Sequence, residues 1–553
     1  MKNRKVVIVG GVAGGASCAA RLRRVDETAE IVVFEKGQFV SFANCGLPYH
    51  VGNVIPEEES LVLATPELFL ERFRISVKTG HEVLSVNREK KVVVVREAAT
   101  GRESEEAYDF LVLAPGAVPL VPPIPGLDLE GVFTVRTIPD TRVILRWLKE
   151  TQAKSAVVAG AGFIGLEMAE NLRHLGLEVS VVEMGRQILP PMDPEVVRPI
   201  ERLMEEKGVR LFLGDAVAKV EKTGNGKFAV HAKSGKMLEA DLVISALGVR
   251  PDVSLARAAG LEIGERGGIR VDEQMRTSDP SIFAVGDAIE VRDIVTGQWM
   301  LLALAGPANR QGRIAADALA GREARFRGVQ GTAVCGVFGM AAAATGASEK
   351  ALQRAGITDY EVAYLHPKDH VGYYPGAEVL HIKVLYRKGD GRLLGAQAVG
   401  FADAPRKVDV FAALLQMGGT VHDLEEAELC YSPQYGAAKD AVNFAGMLAS
   451  NSLRGDVKLL KWPEEAAALG GCVLDVRDAD ELEEEGFFPG AIHIPLNELR
   501  DRLEELPKGQ TIRVYCRVGV RGYYACRILT QNGFDCENLS GGWLTGRDLL
   551  REG

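Results

Sequence analysis

Two cysteines stand where a thiol could do chemistry. Cys45 lies in Ser41-Phe42-Ala43-Asn44-Cys45-Gly46-Leu47-Pro48-Tyr49, and its nearest cysteine neighbours in the chain are Cys18 and Cys335. The local sequence therefore offers no partner for an internal disulfide. The chemistry left to a single thiolate is a mixed disulfide with a small thiol, a persulfide or a sulfenic acid. A lone cysteine is ordinarily a small core residue, but this one follows a nucleotide-type glycine turn, which argues for reactivity. Cys516 heads Cys516-Arg517-Val518-Gly519-Val520-Arg521-Gly522, directly after the apolar run Ile512–Tyr515. A loop leading from a strand into a helix turns backbone amides towards its first residue and makes an anion nest. Arg517 and Arg521 add positive charge, so Cys516 is expected to be a thiolate able to hold sulfane sulfur as a persulfide.

The elements that must position Cys45 are two glycine turns. Lys5-Val6-Val7-Ile8-Val9 reads as a buried parallel strand. Gly10-Gly11-Val12-Ala13-Gly14-Gly15 follows, then a helix over Ala16–Arg24 and a strand Ile31–Phe34 ending in Glu35. Glycines allow a sharp turn and close approach to a pyrophosphate, the helix start supplies amides, and an acid at the next strand end accepts from ribose hydroxyls. Val12 replaces the middle glycine of the usual fingerprint. The second turn, Gly160-Ala161-Gly162-Phe163-Ile164-Gly165, is complete; it lies between Ala156–Ala159 and a helix Leu166–Leu175, with Val179–Val182 and Glu183 beyond. Two dinucleotide sites in one chain point to a flavin, FAD, and a nicotinamide. Glu183 repels a 2′-phosphate and favours NADH over NADPH, while Arg186 nearby pulls the other way.

Composition sets the outer limits. The chain has 553 residues, a formal net charge of -10, 47% hydrophobic and 25% charged residues. That is ordinary for a globular protein of several domains. The acidic balance argues against nucleic acid and anionic membranes as partners. No apolar run approaches the roughly 18 residues of a membrane span, and the N-terminus enters a strand without a signal-like segment. Eight cysteines, none in a CxxC or metal-like cluster, predict no metal site and a reducing cytoplasm.

The order of these units, over about residues 1–445, resembles the pyridine nucleotide-disulfide oxidoreductase family. Thr277-Ser278-Asp279-Pro280-Ser281-Ile282-Phe283-Ala284-Val285-Gly286-Asp287-Ala288 is similar to its second flavin motif. The resemblance places Asp287, after Gly286, against the flavin's ribityl chain. Leu111–Gly116 and Leu242–Gly248 resemble its crossing strands. The Cys45 segment is similar to that of coenzyme A disulfide reductases, which implies a thiol-exchanging nucleophile at Cys45. The same resemblance implies substrate contacts from Ser17, Arg21, Arg24, Ser41, Asn44, Asn309 and Lys439. Arginines suit phosphate groups because guanidinium binds them as a fork. It further implies a homodimer in which Tyr373 (in preference to Tyr374) and Tyr431 enter the other subunit's site.

Beyond Asn451–Asp456 a new α/β pattern begins. Asp475-Val476-Arg477, Gly490-Ala491-Ile492-His493, the Cys516 loop and Gly541-Gly542-Trp543 together resemble a rhodanese domain. His493 reads as structural; Cys472, Cys526 and Cys536 read as packing. The expected fold is α/β: an FAD domain over 1–150 and 250–325, an NAD(P)H domain over 151–249, an α+β dimerisation domain over 326–448, a linker over 449–457 and a rhodanese domain over 458–553. The fusion implies an NADH-dependent flavoprotein reductase acting on coenzyme A disulfide, coenzyme A persulfide or polysulfide. Coenzyme A is then substrate or sulfur carrier. Three other readings stay open: an NADH oxidase cycling Cys45 through sulfenic acid, a redox-responsive binding protein, and a thiosulfate sulfurtransferase centred on Cys516.

Overall fold

The structure, a computed structural model, describes residues 4–224, 226–462 and 469–547. The outermost residues of the expected first and last domains, 1–3 and 548–553, lie outside these. The expected α/β architecture is present. The chain divides into two compact units, one running to Pro190 and over Met204–Val329, the other comprising Pro191–Leu203 and the chain from Gln330 onward.

In the first unit, Val6, Val7 and Ile8 are shielded on both faces, as a central parallel strand requires. The sheet runs Ile282–Ala284, Phe110–Leu113, Lys5–Val9, Glu30–Glu35, Ser76–Thr79, all parallel. Helix α1 (Ala13–Val25) begins inside the glycine turn, earlier than the residue pattern predicts. It crosses helix Ala305–Leu319 so closely that a Cβ on Gly312 would lie 2.3 Å from the Gly14 carbonyl oxygen. Buried Arg23 donates to the carbonyls of Asp26, Glu27, Ala29, Phe73 and Arg74, tying the end of α1 to the next strand.

A second parallel sheet repeats the plan: Val209–Leu213, Glu178–Glu183, Ser155–Ala159, Leu242–Ser245, Val132–Phe133. Its helix α2 is Phe163–His174, again starting within the turn.

The second unit carries an antiparallel sheet in the order Ala333–Val337, Met340–Gly346, Leu393–Gly400, His381–Arg387, Tyr360–Leu365. Helix Ala441–Leu453 continues through residues 449–453 before the chain turns. A parallel five-stranded sheet follows, with Ile512–Tyr515 between Cys536–Leu539 and Cys472–Asp475. Helices α3 (Ala479–Glu485) and α4 (Val520–Gln531) flank it.

The same unit buries a lysine. Lys383 is fully shielded, its Nζ 2.8 Å from Asp193 and 2.6 Å from Glu349, with Glu195 as a third partner. The three carboxylates converge as metal ligands could, but the Lys383 ammonium bonds all of them.

Candidate active site

The two glycine turns do the same mechanical work. A Cβ on Gly10 would sit 2.1 Å from the Ala114 carbonyl oxygen, and one on Gly160 2.3 Å from that of Ala246. The last glycine of each turn packs on the first: Gly15 would strike the Gly10 oxygen at 1.9 Å and Gly165 the Gly160 oxygen at 2.1 Å. Both first glycines also have positive φ, +96° and +104°. The middle position is different. A Cβ on Gly162 meets nothing within 4 Å. The protein's own packing does not demand glycine there, which is why Val12 is tolerated in the first turn.

Each acid at the following strand end anchors its turn. Glu35 accepts the N–H groups of Gly11 and Gly37, both at 2.8 Å. Glu183 accepts those of Ala161 at 2.8 Å and Gly185 at 2.7 Å. A carboxylate has further lone pairs, so ribose hydroxyls can still be accepted. Above the first turn opens a cavity of about 300 Å³, lined among others by Gly10, Val12, Glu35, Asn44, Gly116 and Arg136. These groups fit FAD: a glycine cradle, an acid for ribose and a guanidinium. Asp287, in the turn Gly286–Ala288, lies 3.6 Å from Arg136. Burial lifts its carboxyl above the ordinary range, against the opposing pull of Arg136.

Cys45 lies in a tight 3-10 turn, Asn44–Gly46, and is exposed. Ser41 precedes it with φ +48° and donates its N–H to the Gly11 carbonyl at 2.8 Å, tying the cysteine segment to the glycine turn. Ser17 and Asn309, far apart in the chain, are hydrogen-bonded side chain to side chain. Arg21 is held by Asp317, at 3.0 and 2.7 Å. Arg24 is exposed. Of the two candidate phosphate ligands on α1, Arg24 is thus the more accessible.

Sequence reasoning missed Glu167 on α2, which accepts from Tyr49 at 3.3 Å. Tyr49 sits four residues past Cys45. Burial lifts the Glu167 carboxyl to about 7, the Tyr49 hydrogen bond opposing. The folded chain therefore holds a proton that the unfolded chain releases between its ordinary 4.5 and about 7, and stability falls as pH rises through that window. Glu167→Gln is expected to abolish a loss on the order of 2 kcal/mol there. Urea denaturation at pH 4.5 and 7.5 reads the difference; equal slopes for both proteins would refute the assignment.

In the second unit, Tyr373 and Tyr431 meet with hydroxyls 3.0 Å apart. Both rings are exposed, at 75% and 48%. Tyr374 instead packs edge-on against His370. Lys439, exposed, borders a cavity of about 520 Å³ whose other wall includes Val518, Gly519, Val520 and Tyr523. Lys439, just ahead of helix Ala441–Leu453, and the Cys516 loop thus share one hollow.

Cys516 caps the central strand Ile512–Tyr515 and is fully buried. Its Sγ accepts the Gly519 N–H at 3.1 Å. The loop is clamped from behind: Trp543 N–H donates to the Cys516 carbonyl at 2.7 Å and Leu544 N–H to that of Arg517 at 3.0 Å. A Cβ on Gly542 would lie 2.2 Å from the same Cys516 oxygen, which accounts for the Gly541-Gly542-Trp543 run. His493 Nε2 lies 2.9 Å from the Arg477 carbonyl, a structural contact. Arg517 and Arg521 are not free cations: both are paired with acids of α3.

Residues 4–312 match the pyridine nucleotide-disulphide oxidoreductase family, 332–441 its dimerisation domain, and 456–545 the rhodanese-like domain. The chain is 35% identical over 448 residues to a coenzyme A disulfide reductase of Staphylococcus epidermidis, covering 80% of this chain and 99% of that protein. The crystal structure of reduced Bacillus anthracis CoADR-RHD superposes with a TM-score of 0.97 at 44% identity, over 100% of this chain and 99% of that one. An NAD-dependent persulfide reductase from A. fulgidus superposes with a TM-score of 0.91 at 37% identity, over 98% and 99%.

Proposed function

Because the chain belongs to the pyridine nucleotide-disulphide oxidoreductase family and carries a rhodanese-like domain, we propose that it is an NADH-dependent reductase of coenzyme A disulfide or persulfide, or of polysulfide, with Cys45 as its redox cysteine. It is an oxidoreductase, and FAD and NAD(H) go with its family. FAD, held by the Gly10–Gly15 turn, Glu35 and Asp287, would supply two-electron transfer from nicotinamide to sulfur. The chain's own residues do the rest. Cys45 Sγ attacks the sulfur–sulfur bond and holds one half of the substrate as a mixed disulfide while the other half leaves. Ser17, Asn309 and Asn44 orient the bound thiol, and Arg24 meets its phosphates. Asp287 and Glu35 hold the flavin's sugar hydroxyls.

The observation that carries this reading is the solitary, exposed Cys45 tied through Ser41 to the glycine turn. The exposed tyrosine pair supports a homodimer in which one subunit's phenols serve its partner's Cys45. A phenol hydrogen-bonded to a second phenol can pass a proton to a departing thiolate. Tyr431→Phe is expected to lower kcat about 10- to 100-fold with KM nearly unchanged; Tyr374→Phe, outside the pair, should change neither. The cavity that Lys439 shares with Val518, Gly519 and Val520 supports coenzyme A as the sulfur carrier at the Cys516 loop. The deciding assay is NADH consumption with coenzyme A persulfide or disulfide under argon, against oxygen alone. A dominant oxygen rate would favour the oxidase reading and end this one. Mass spectrometry of the purified protein should find a coenzyme A-sized adduct on Cys45.

A further inference from the structure

The arginines of the Cys516 loop are already neutralised. Arg517 Nε lies 2.8 Å from Glu485, and Arg521 places Nη1 3.0 Å from Asp478 and Nη2 2.6 Å from Glu481. A third guanidinium, fully buried Arg477, is paired with Asp475 at 2.7 Å and lies 3.8 Å from Glu485. Three guanidiniums thus face four carboxylates, so the group is net negative before Cys516 ionises. The acids are held in place. Asp478 and Glu481 form the capping box of α3, the Glu481 Oε2 accepting the Asp478 N–H at 3.0 Å while its Oε1 takes Arg521. The cavity bordered by Val518, Gly519 and Val520 of the loop has Lys368 and Lys439 on its other wall, contributed by the dimerisation region.

From this we infer that Asp478, Glu481 and Glu485 set the donor specificity of Cys516. They select an organic persulfide whose fixed charge lies away from its reactive sulfur, and they reject thiosulfate, whose charge lies at the sulfur itself. The step is sulfane transfer. The Cys516 thiolate attacks the outer sulfur of R–S–SH, a new S–S bond forms on Cys516, the old one breaks, and R–S⁻ leaves with the electron pair. One S–S bond replaces another, so no oxidant or reductant is consumed. With thiosulfate the leaving group is sulfite, a dianion. Its charge grows in the transition state beside guanidiniums that already have carboxylate partners, so they stabilise it little. A long donor can instead place its phosphates at Lys368 and Lys439 and its uncharged end at the loop. This inference rests on the reading of Cys516 as a sulfane carrier.

The test uses the full chain and loads Cys516 from thiosulfate or from glutathione persulfide, followed as a 32-Da gain and as transfer to cyanide. The double variant Glu481→Gln, Glu485→Gln keeps the helix cap, because glutamine serves at that position too. It is expected to raise kcat/KM for thiosulfate about tenfold and to leave the persulfide rate within about twofold, with added salt narrowing the gap. Loading by persulfide also reports that the variant is folded. Equal improvement with both donors, no improvement with thiosulfate, or a wild type that uses the two equally well would overturn the inference alone. A Cys516 that neither donor loads would overturn the carrier reading with it.

Discussion

Cys45→Ser is expected to lower NADH-dependent reduction of coenzyme A disulfide and persulfide by at least about 10³-fold. A serine hydroxyl cannot form the mixed disulfide, and no second cysteine lies nearby in sequence to replace it. The fold should survive, since Cys45 is exposed on a short turn and serine has nearly its shape. NADH should still bleach the absorbance of bound flavin at close to the wild-type rate, because the glycine turns, Glu35 and Glu183 are untouched. Stopped-flow bleaching and steady-state turnover, measured on the same sample, separate the two effects. A serine variant retaining a tenth of wild-type turnover would remove Cys45 from the mechanism.

Lys383→Met should destabilise the second unit by about 3–5 kcal/mol. The variant leaves Asp193, Glu195 and Glu349 packed together with their shared cation gone; Asp193 keeps Gln397, Glu195 keeps Tyr364, and Lys461 on Glu349 is about half exposed. Burial pushes the Glu195 and Glu349 carboxyls up, but Lys383 overrides it and holds both below their ordinary range. Burial works against the charge on Lys383 as well, and the carboxylates hold its ammonium well above the ordinary range. In the wild type the carboxylate contribution is present above the unfolded carboxylate range and is lost as pH falls through the depressed values. The lysine contribution is present below its unfolded value and is lost as pH rises through the raised one. In the variant the carboxylates repel one another and bind protons readily, so the gap between the proteins should narrow from pH 7 to pH 5. Calorimetry should resolve the second unit's transition from the first, since a chain of two units need not melt as one. A variant within about 1 kcal/mol of wild type at pH 7 would show that the cluster contributes little.

The dinucleotide folds were legible because their signals are local. A strand, a glycine turn, a helix and an acid occupy one short stretch, and backbone sterics leave few conformations that such a stretch can adopt. Even Val12, the departure from the usual fingerprint, is explained by its counterpart in the second turn, Gly162, whose side-chain direction is open. The strand–loop–helix path through Cys516 was legible for the same reason. Helix starts were not: α1 and α2 begin three residues before the pattern suggests, because the Val12 and Gly162 carbonyls inside the turns already accept the N–H groups of Ala16 and Leu166.

Contacts between distant segments needed the tertiary structure. Nothing in the residues around Tyr373 or Tyr431 states that their hydroxyls meet, or that Ser17 reaches Asn309. Nor does the local sequence state that the acids of α3 lie against Arg517 and Arg521. Lys383 reads as an ordinary polar position in a strand until Asp193, Glu195 and Glu349 converge on it. Residue type and spacing along the chain determine which groups can react. Whether a charge stands free or cancelled depends on what packs against it from elsewhere, since Coulomb interactions act through space and take no account of separation in sequence.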